Sequence, residues 1–485
     1  MDFVPSQPLT PNVPAWLLLG ICGAGMRSFA EHLSAISIPV IGSDSDHEAL
    51  KRAIPSLTPT ITLLEWSALQ RGLTPSISTV VHSVAVDPSA PELTALRRRG
   101  IRILSLPSAL AEQFADVPQL CVAGTHGKST TTGMLWWILH HAGWPTARYI
   151  GAQFLSGDSG HSPVSGPSHF SAAVLESCEY RDSFLSLQPA QCVLTGIEPD
   201  HFDWFTTPSA ATDSFATFLD RMLPGGALIY SSDCPASSKL AADFVRGPAV
   251  SWSATSRPAD WQLTPHAARP GSFSATGTLQ TATSSDAPIE LLLRVPGEHN
   301  LRNATAAVLA AVQRGIPARA AAQLLSTFPG MRRRFEYRGT WRGVELFDDY
   351  AHHPTAVDVT LRTIRRMYPD RKVVAVFEPH QLSRTHVLLQ PFAKSLTLAD
   401  RVIVTPVLAA RETAPQAARL ELSQELVRRI CQAGGHASLV GDLDRVPENL
   451  DDAVHAGDIL ITMGAGRTNL IHDEIHRTIP RDSAA

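Results

Sequence analysis

A short glycine-containing loop is the strongest chemical signal in the sequence. Residues 119–124 (QLCVAG) are predicted to form a strand, and the loop at 124–130 (GTHGKST) leads into a helix that begins at Ser129. Backbone N–H groups at such a turn bind anions, and a lysine there reaches the outer phosphates of a nucleotide. The strict P-loop pattern is not met, because Val122 stands where that pattern requires glycine. The predicted phosphate-binding residues are Gly124, Thr125, His126, Gly127, Lys128, Ser129 and Thr130.

Acidic residues and a histidine follow the next two predicted strands. Glu176 ends the apolar run SAAVL, and a polar cluster that includes Asp200 and His201 follows the run QCVLTGI. The carboxyl ends of parallel strands collect the ligands of α/β sites, so these side chains are expected near the loop. Mg²⁺ prefers oxygen ligands, which the Ser129 hydroxyl and the carboxylates supply, and a histidine is an unusual ligand for it. The sequence therefore predicts a shared magnesium site.

The elements that must position these residues form three successive α/β segments. Apolar runs alternate with helical patterns throughout, and a length of 485 residues suits three domains. The predicted domains are residues 1–115 with a small parallel sheet, residues 116–328 with the phosphate loop, and residues 329–485 with a third sheet. Within the second domain, residues 262–295 are expected to be antiparallel, and residues 300–316 to form an alanine-rich helix.

Composition argues against several classes of protein. A net charge of −4 with 18% charged residues does not fit a general nucleic-acid binder or a polybasic membrane protein. Six cysteines without a C-x-x-C pair predict neither a disulfide framework nor a zinc site. No apolar run reaches the roughly 18 residues of a membrane span, and the first residues lack the features of a secretory signal. We expect a cytoplasmic protein with no nucleic-acid partner and no membrane insertion; its oligomeric state is not indicated.

A second glycine pattern lies near the amino terminus. Gly20, Gly23 and Gly25 separate the first predicted strand from the first helix, and Asp44 follows the next apolar run. Taken alone, this pattern also fits a dinucleotide fingerprint in which the acid contacts a ribose. A nicotinamide dehydrogenase is therefore an alternative, although it leaves the loop around Lys128 unexplained.

Six motifs occur in order over nearly the whole chain: GTHGKST, E-x-x-E at 176–179, IEPDH, PGEHNLRNA, RRFE and DDYAHHP. Together they resemble the ATP-dependent Mur ligases of peptidoglycan assembly. GICGAGM, DDYAHHP and EPHQLSRT are most similar to the branch of that family that uses L-alanine. The resemblance implies a Rossmann-like domain for the UDP part of the substrate and a central P-loop ATPase-type domain. It also implies a C-terminal Rossmann-like α/β domain that receives the amino acid.

The resemblance also implies a reaction. The carboxylate of UDP-N-acetylmuramate attacks the γ-phosphate of ATP, which gives an acyl phosphate and ADP, and the amine of L-alanine then displaces phosphate. Two anions meet in the first step, so catalysis consists mainly of positioning and charge neutralisation. ATP and Mg²⁺ are the implied cofactors, and UDP-N-acetylmuramate and L-alanine are the implied substrates.

Residue roles follow from the same resemblance. Lys128, Glu176 and His201 are the implied catalytic residues: Lys128 holds the β- and γ-phosphates, Ser129 and Glu176 bind one metal ion, and Glu176 and His201 bind a second. The remaining implied nucleotide contacts are His299, Asn300, Asn303, Arg334 and Asp349. The implied amino-acid pocket consists of Tyr350, His352 and Arg384, whose guanidinium suits a carboxylate. The implied UDP contacts are Gly23, Gly25, Met26, Asp44 and Ser83.

Two segments depart from the family pattern. Residues 178–181 (CEYR) stand where the family usually has D-E-S-D, and Gln381 stands where one of two arginines is expected at the amino-acid carboxylate. No lysine lies between Lys128 and Lys239, so the carbamylated lysine of several sibling ligases is not expected. The alternatives are a recycling ligase that joins a whole tripeptide to UDP-N-acetylmuramate, and a noncatalytic nucleotide-binding relative.

Overall fold

The computed structural model describes residues 14–53, 61–67, 76–156, 170–283 and 287–478. The amino-terminal segment considered above as a secretory signal lies mostly outside the described residues, as does most of the exposed loop predicted at 154–170. The described chain folds into three α/β parts, each built on its own sheet.

The first sheet is parallel, with strand order β3-β2-β1-β4-β5. Its strands are short apolar runs, as expected for a sheet covered on both faces. The apolar run at residues 78–86 leaves the sheet after His82, where Ser83 forms a turn in which its hydroxyl accepts the N–H of Ala85. The strands are β1 (Ala15–Leu19), β2 (Val40–Ser43), β3 (Ile61–Leu63), β4 (Ile77–His82) and β5 (Arg102–Ser105). The helices are α1 (Ala24–Ala35), α2 (His47–Ala53), α3 (Pro91–Arg98) and α4 (Leu106–Gln113).

The central sheet has the strand order β14-β13-β12-β11-β10-β9-β6-β8-β7. It is parallel from β7 to β12, and β12, β13 and β14 are antiparallel, as predicted for residues 262–295. Its strands are β6 (Gln119–Ala123), β7 (Thr146–Tyr149), β8 (Ala172–Glu176), β9 (Pro189–Leu194), β10 (Ala227–Ser231), β11 (Ala249–Ser253), β12 (Trp261–Pro265), β13 (Ala275–Thr281) and β14 (Ile289–Leu293).

The central helices include two that are buried around most of their circumference, α5 and α8, which pack on each other over the sheet. Both are rich in apolar or small residues on every face, as a helix inside a core must be. The helices are α5 (Lys128–His141), α6 (Pro208–Asp220), α7 (Pro235–Ala242), α8 (Glu298–Val312) and α9 (Ala318–Leu325), with a 3₁₀ segment at Tyr180–Ser186.

The third sheet has the order β15-β16-β20-β17-β18-β19, parallel except for the edge strand β15. Its strands are β15 (Glu336–Trp341), β16 (Val344–Asp349), β17 (Val373–Phe377), β18 (Arg401–Val404), β19 (Ala437–Leu439) and β20 (Ile459–Met463). Its helices are α10 (Pro354–Met367), α11 (Leu382–Val387), α12 (Leu389–Leu396), α13 (Gln416–Gln432), α14 (Val446–Leu450) and α15 (Leu470–Thr478), with a 3₁₀ turn at Leu443–Arg445.

The strand order of the central sheet determines where chemistry is concentrated. β6 lies between β8 and β9, and all three run parallel. Their carboxyl ends therefore bring the phosphate loop, Glu176 and the segment 195–201 to one edge. None of the helices in the described ranges is long and apolar enough to cross a membrane, and all six cysteines are free thiols.

Candidate active site

A cavity of about 880 Å³ lies where the three parts meet. Met26 lines it from the first part, Lys128 and His299 from the central part, and Tyr350 and His352 from the third. Residues predicted separately for phosphate, nucleotide and amino-acid binding therefore face one continuous space.

The phosphate loop owes its shape to two glycines with backbone angles that other residues avoid. Gly124 has φ 129° and Gly127 has φ 79°. A Cβ at Gly127 would collide with the amide of Asn303 on α8, so the loop lies directly against that helix. The Thr125 hydroxyl accepts the N–H of Glu198 over 2.9 Å, which ties the loop to the segment after β9.

Lys128 lies at the start of α5 with its ammonium group largely shielded from solvent. Its Nζ is 2.9 Å from Glu179 and donates to the carbonyl oxygens of Gly124 (2.5 Å) and Thr125 (3.2 Å). Burial alone would lower the pKa of Lys128, but the Glu179 carboxylate outweighs it and raises that pKa. Burial likewise opposes ionisation of Glu179, yet Lys128 holds its pKa below the usual range. Both groups are therefore charged, and a cation is held at the loop.

Oxygen donors suited to a hard cation lie beside this lysine. Ser129 Oγ donates to Glu176 Oε1 over 2.8 Å, and Glu176 Oε2 accepts the N–H of Gly151. Both side chains line the cavity, so the donor set fits one Mg²⁺, which keeps several water or phosphate ligands of its own. Arg334 donates to the same Ser129 hydroxyl over 2.9 Å, which brings the third part to this point.

His201 lines the same cavity as Glu176 and has a second acidic neighbour. Its Nε2 is 3.6 Å from Glu179 Oε1, so the structure pairs it with Glu179 and not with Glu176. Glu179 was not selected as a site residue, although the E-x-x-E spacing contained the signal. The 3₁₀ segment that follows β8 turns the second glutamate inward, to 3% side-chain exposure. Segment 178–181 departs from the family pattern but retains this glutamate, which contacts both Lys128 and His201.

The predicted nucleotide contacts gather on the side of the cavity formed by α8 and β16. His299 is half-buried at the cavity, and burial lowers its pKa to about 4, so the ring is neutral at physiological pH. Asn300 donates to the carbonyl of Pro296, and Asn303 lies against the phosphate loop. Asp349 ends β16 and accepts the N–H groups of two neighbouring residues, and burial raises its pKa to about 6.

The predicted amino-acid pocket contains an arginine that is already paired. Arg384 Nε donates to Asp200 Oδ1 over 2.7 Å, and Nη1 contacts His380 Nδ1 over 2.9 Å. His352 Nδ1 lies 2.8 Å from the carbonyl of Tyr350. Burial, with the nearby guanidinium of Arg384, holds the pKa of His352 well below its usual value, so its imidazole is neutral.

Gln381, the residue that departs from the family pattern, is buried behind this pocket. Its side chain is fully buried at 0% exposure, and it is not among the residues that line the cavity. Its backbone has φ 66°, and neither amide atom bonds to any described group. The glutamine that stands in place of the expected arginine therefore packs in the interior of the third part.

A different arginine lines the cavity and was missed by the sequence analysis. The guanidinium carbon of Arg411 lies 3.8 Å from the centre of the Tyr180 ring, at the mouth of the predicted amino-acid pocket. Arg411 belongs to a polar loop after β18, where no pattern distinguishes it from a solvated surface residue.

Most of the predicted UDP contacts line the cavity, and one does not. Four predicted UDP contacts line the cavity: Gly23, Gly25, Met26 and Ser83. Asp44 does not line it, because its carboxylate accepts the N–H groups of Cys22 and Asp46 and so fixes the turn after β1. Gly124 also lies behind the cavity wall, where its carbonyl accepts from Lys128.

A phosphate loop, acidic strand ends and a histidine–arginine pocket, on separate domains around one cavity, define a three-domain nucleotide-binding ligase. The chain belongs to the Mur ligase family, whose members are ATP-dependent. Residues 122–311 match the Mur ligase middle domain, and residues 333–466 match the Mur ligase, glutamate ligase domain.

Individual ligases are similar to this chain over nearly its whole length. The UDP-N-acetylmuramate–L-alanine ligase of Kineococcus radiotolerans is 38% identical over 470 residues, which cover 94% of this chain and 94% of that protein. The UDP-N-acetylmuramate–alanine ligase structure from Thermotoga maritima has a TM-score of 0.77 at 21% identity, covering 96% of this chain and 98% of that one. A murein peptide ligase from Psychrobacter arcticus has a TM-score of 0.70 at 26% identity, covering 97% and 100%.

Proposed function

We propose that the protein is a UDP-N-acetylmuramate–L-alanine ligase that uses ATP and Mg²⁺ in the synthesis of peptidoglycan precursors. The observation that carries the proposal is the single cavity onto which the phosphate loop of Lys128 and the pocket of His352 and Arg384 both open. Full-length similarity to ligases of that activity supports the same substrates. A cytoplasmic location agrees with a need for ATP and a UDP-sugar.

In the first step, Lys128 and the loop N–H groups bind the β- and γ-phosphates. Lys128 keeps its partner Glu179 and exchanges its contacts with the loop carbonyls for phosphate oxygens. Ser129 and Glu176 would hold Mg²⁺, which would supply positive charge to the reacting anions. These cations lower the repulsion between two anions, which is the main barrier to positioning them for transfer.

Arg334 couples nucleotide binding to closure of the third domain. It donates to Ser129 from a segment of the third part, and its charge lies near the Asp349 carboxylate. A bound nucleotide therefore stabilises the contact between central and third domains, and closure excludes water from the acyl phosphate.

In the second step, the pocket of the third domain binds L-alanine. Arg411 offers the carboxylate a guanidinium that forms no ion pair within the described part of the chain, whereas Arg384 already donates to Asp200. His352 is neutral and donates from Nδ1 to the Tyr350 carbonyl, which leaves a lone pair on Nε2. This nitrogen can accept a hydrogen bond from the alanine ammonium group and so orient the alanine nitrogen toward the acyl phosphate.

A panel of amines tests the proposal. ADP release and amide formation are measured at saturating ATP, Mg²⁺ and UDP-N-acetylmuramate with L-alanine, glycine, L-serine and the tripeptide. We expect the highest kcat/KM with L-alanine. Turnover with the tripeptide alone would favour the recycling ligase, to which the similarity in fold with the murein peptide ligase also points. The absence of ADP release with every amine would favour the alternative of a noncatalytic nucleotide-binding relative.

A further inference from the structure

A cluster of two histidines and a glutamate lies at the contact between the phosphate loop and the third domain. His126 belongs to the loop, Glu198 follows β9, and His353 precedes α10. One donor atom from each lies within 4.8 Å of the donor atoms of the other two. All three residues line the cavity, and the reaction proposed above uses the backbone of the loop that contains His126 but none of the three side chains.

The spacing of the donor atoms suits a small tetrahedral metal ion. His126 Nε2 is 3.4 Å and His353 Nδ1 is 3.9 Å from Glu198 Oε2. Zinc–nitrogen and zinc–oxygen bonds of about 2.1 Å in a tetrahedron place ligand atoms roughly 3.4 Å apart. The cluster therefore needs only a small contraction to become a three-ligand site, and the cavity leaves the fourth position open.

The surroundings hold the ligands in place before any ion binds. Glu198 Oε2 accepts the hydroxyl of Thr355 over 2.7 Å, and the backbone of Glu198 is bound on both sides by the Thr125 hydroxyl. His126 Nε2, the atom nearest Glu198 Oε2, is buried and makes no hydrogen bond with any described residue, whereas His353, at 7% side-chain exposure, accepts the N–H of Thr355 at its Nδ1 over a long 3.4 Å. A buried ring nitrogen without a partner is a cost that a bound metal ion would remove.

We propose that His126, Glu198 and His353 form a binding site for Zn²⁺ or a similar transition-metal ion, separate from the magnesium site of the ligase reaction. Two imidazoles among three ligands select such ions over Mg²⁺. The bound ion joins the phosphate loop to the third domain and engages a loop residue beside the nucleotide. Zinc therefore stabilises the contact between the phosphate loop and the third domain.

Direct binding measurements test the site without relying on activity. Protein without a polyhistidine tag is stripped with a chelator and titrated with Zn²⁺ against a zinc-sensitive dye, and with Co²⁺ to record the absorption of tetrahedral cobalt. We compare wild type with Glu198→Gln and His353→Gln. The control is His386→Gln, which changes an exposed histidine away from the cavity.

We expect micromolar binding of one Zn²⁺ in wild type and in the control. Both site variants should bind at least about tenfold more weakly, because even partners of metal ligands are worth 10- to 100-fold in affinity. Circular dichroism checks each fold, and Glu198→Gln decides if His353→Gln does not fold. Equal affinity in wild type and a folded site variant, or no micromolar binding in wild type, overturns the proposal.

A second comparison separates this site from the magnesium site. Millimolar Mg²⁺ and the variant His201→Gln should both leave zinc affinity unchanged within about twofold, because neither involves the three ligands. Loss of zinc binding in His201→Gln would assign the ion to the phosphate site and overturn the proposal. Since these measurements use the free protein, the amine panel decides the ligase function independently.

Discussion

Arg384 in the third domain donates from Nε to Asp200 in the central domain over 2.7 Å, and both side chains are buried, at 1% and 7% exposure. The same Asp200 oxygen accepts the N–H of His201, which has a left-handed backbone angle of φ 54°. The ion pair and the hydrogen bond share the Asp200 carboxylate. They therefore fix Arg384, in the predicted amino-acid pocket, relative to His201, which lies beside the phosphate loop.

Replacing Asp200 with asparagine should impair catalysis strongly. The change leaves Arg384 buried without its counter-charge. If the domains stay together, this lowers the free energy of unfolding by about 3–5 kcal/mol. We expect the domains to separate instead and kcat to fall at least about 100-fold. Asp220→Asn, at an exposed helix end, is the matched control. A kcat within twofold of wild type in Asp200→Asn would show that the pair does not position the site.

Replacing Lys128 with alanine should abolish turnover while the fold is retained. The phosphate-binding cation is lost, and removal of one preorganised charge donor typically costs about 100- to 1,000-fold in kcat. Glu179 then loses its counter-charge, and its pKa rises, so the carboxyl becomes neutral and the core tolerates it. Lys239→Ala, on the surface of α7, should match wild type. Substantial residual activity in Lys128→Ala would contradict the phosphate assignment.

The pH dependence should show an acidic limb from Asp349. Burial raises its pKa to about 6, so acidification through pH 6 removes the negative charge beside Arg334. We expect kcat/KM for ATP to fall about tenfold per pH unit below that value. Because the folded-state pKa is raised, the stabilising contribution of this group is present at low pH and is lost as the pH rises through 6. Protonation of Asp349 therefore does not destabilise the fold, and the acidic limb reflects the loss of its negative charge.

Circular dichroism recorded across the same pH range checks that the protein stays folded. Asp349→Asn should have low activity at every pH, without an acidic limb. An unchanged limb in that variant would assign the ionisation to another group.

Replacing Arg411 with glutamine should weaken binding of the amino acid. Its guanidinium lines the cavity against the Tyr180 ring and forms no ion pair with the residues that the structure describes. A charge-assisted hydrogen bond contributes about 1.5–3 kcal/mol, so the KM for L-alanine should rise at least about tenfold while the KM for ATP stays the same. Arg477→Gln, at 75% exposure in α15, is the control. An unchanged KM for L-alanine would remove Arg411 from the pocket.

Replacing Gln381 with leucine should leave the KM for L-alanine within about twofold of wild type. The side chain is buried away from the cavity, and the change removes two polar atoms that lack hydrogen-bond partners. Burial of such atoms costs about 1–3 kcal/mol, so the melting temperature should stay constant or rise. A tenfold higher KM for L-alanine would show that Gln381 acts on the amino acid after all.

The sequence alone determined the features that depend on neighbouring residues. The phosphate loop required only the glycines and Lys128 between a strand and a helix, and the antiparallel segment 262–295 was visible in its alternation. The family resemblance added Arg334 and Asp349, because ordered motifs carry positions that local patterns do not.

The tertiary structure decided the features that depend on which distant residues meet. The 3₁₀ segment after β8 directs Glu179 to Lys128 and His201, and the turn at Asp44 keeps that acid out of the cavity. The direction of the backbone at position 381 buries the glutamine, and a polar loop brings Arg411 to Tyr180. Residue type and spacing specify what a side chain can do, whereas domain packing specifies its partners, because those contacts join residues far apart in the chain.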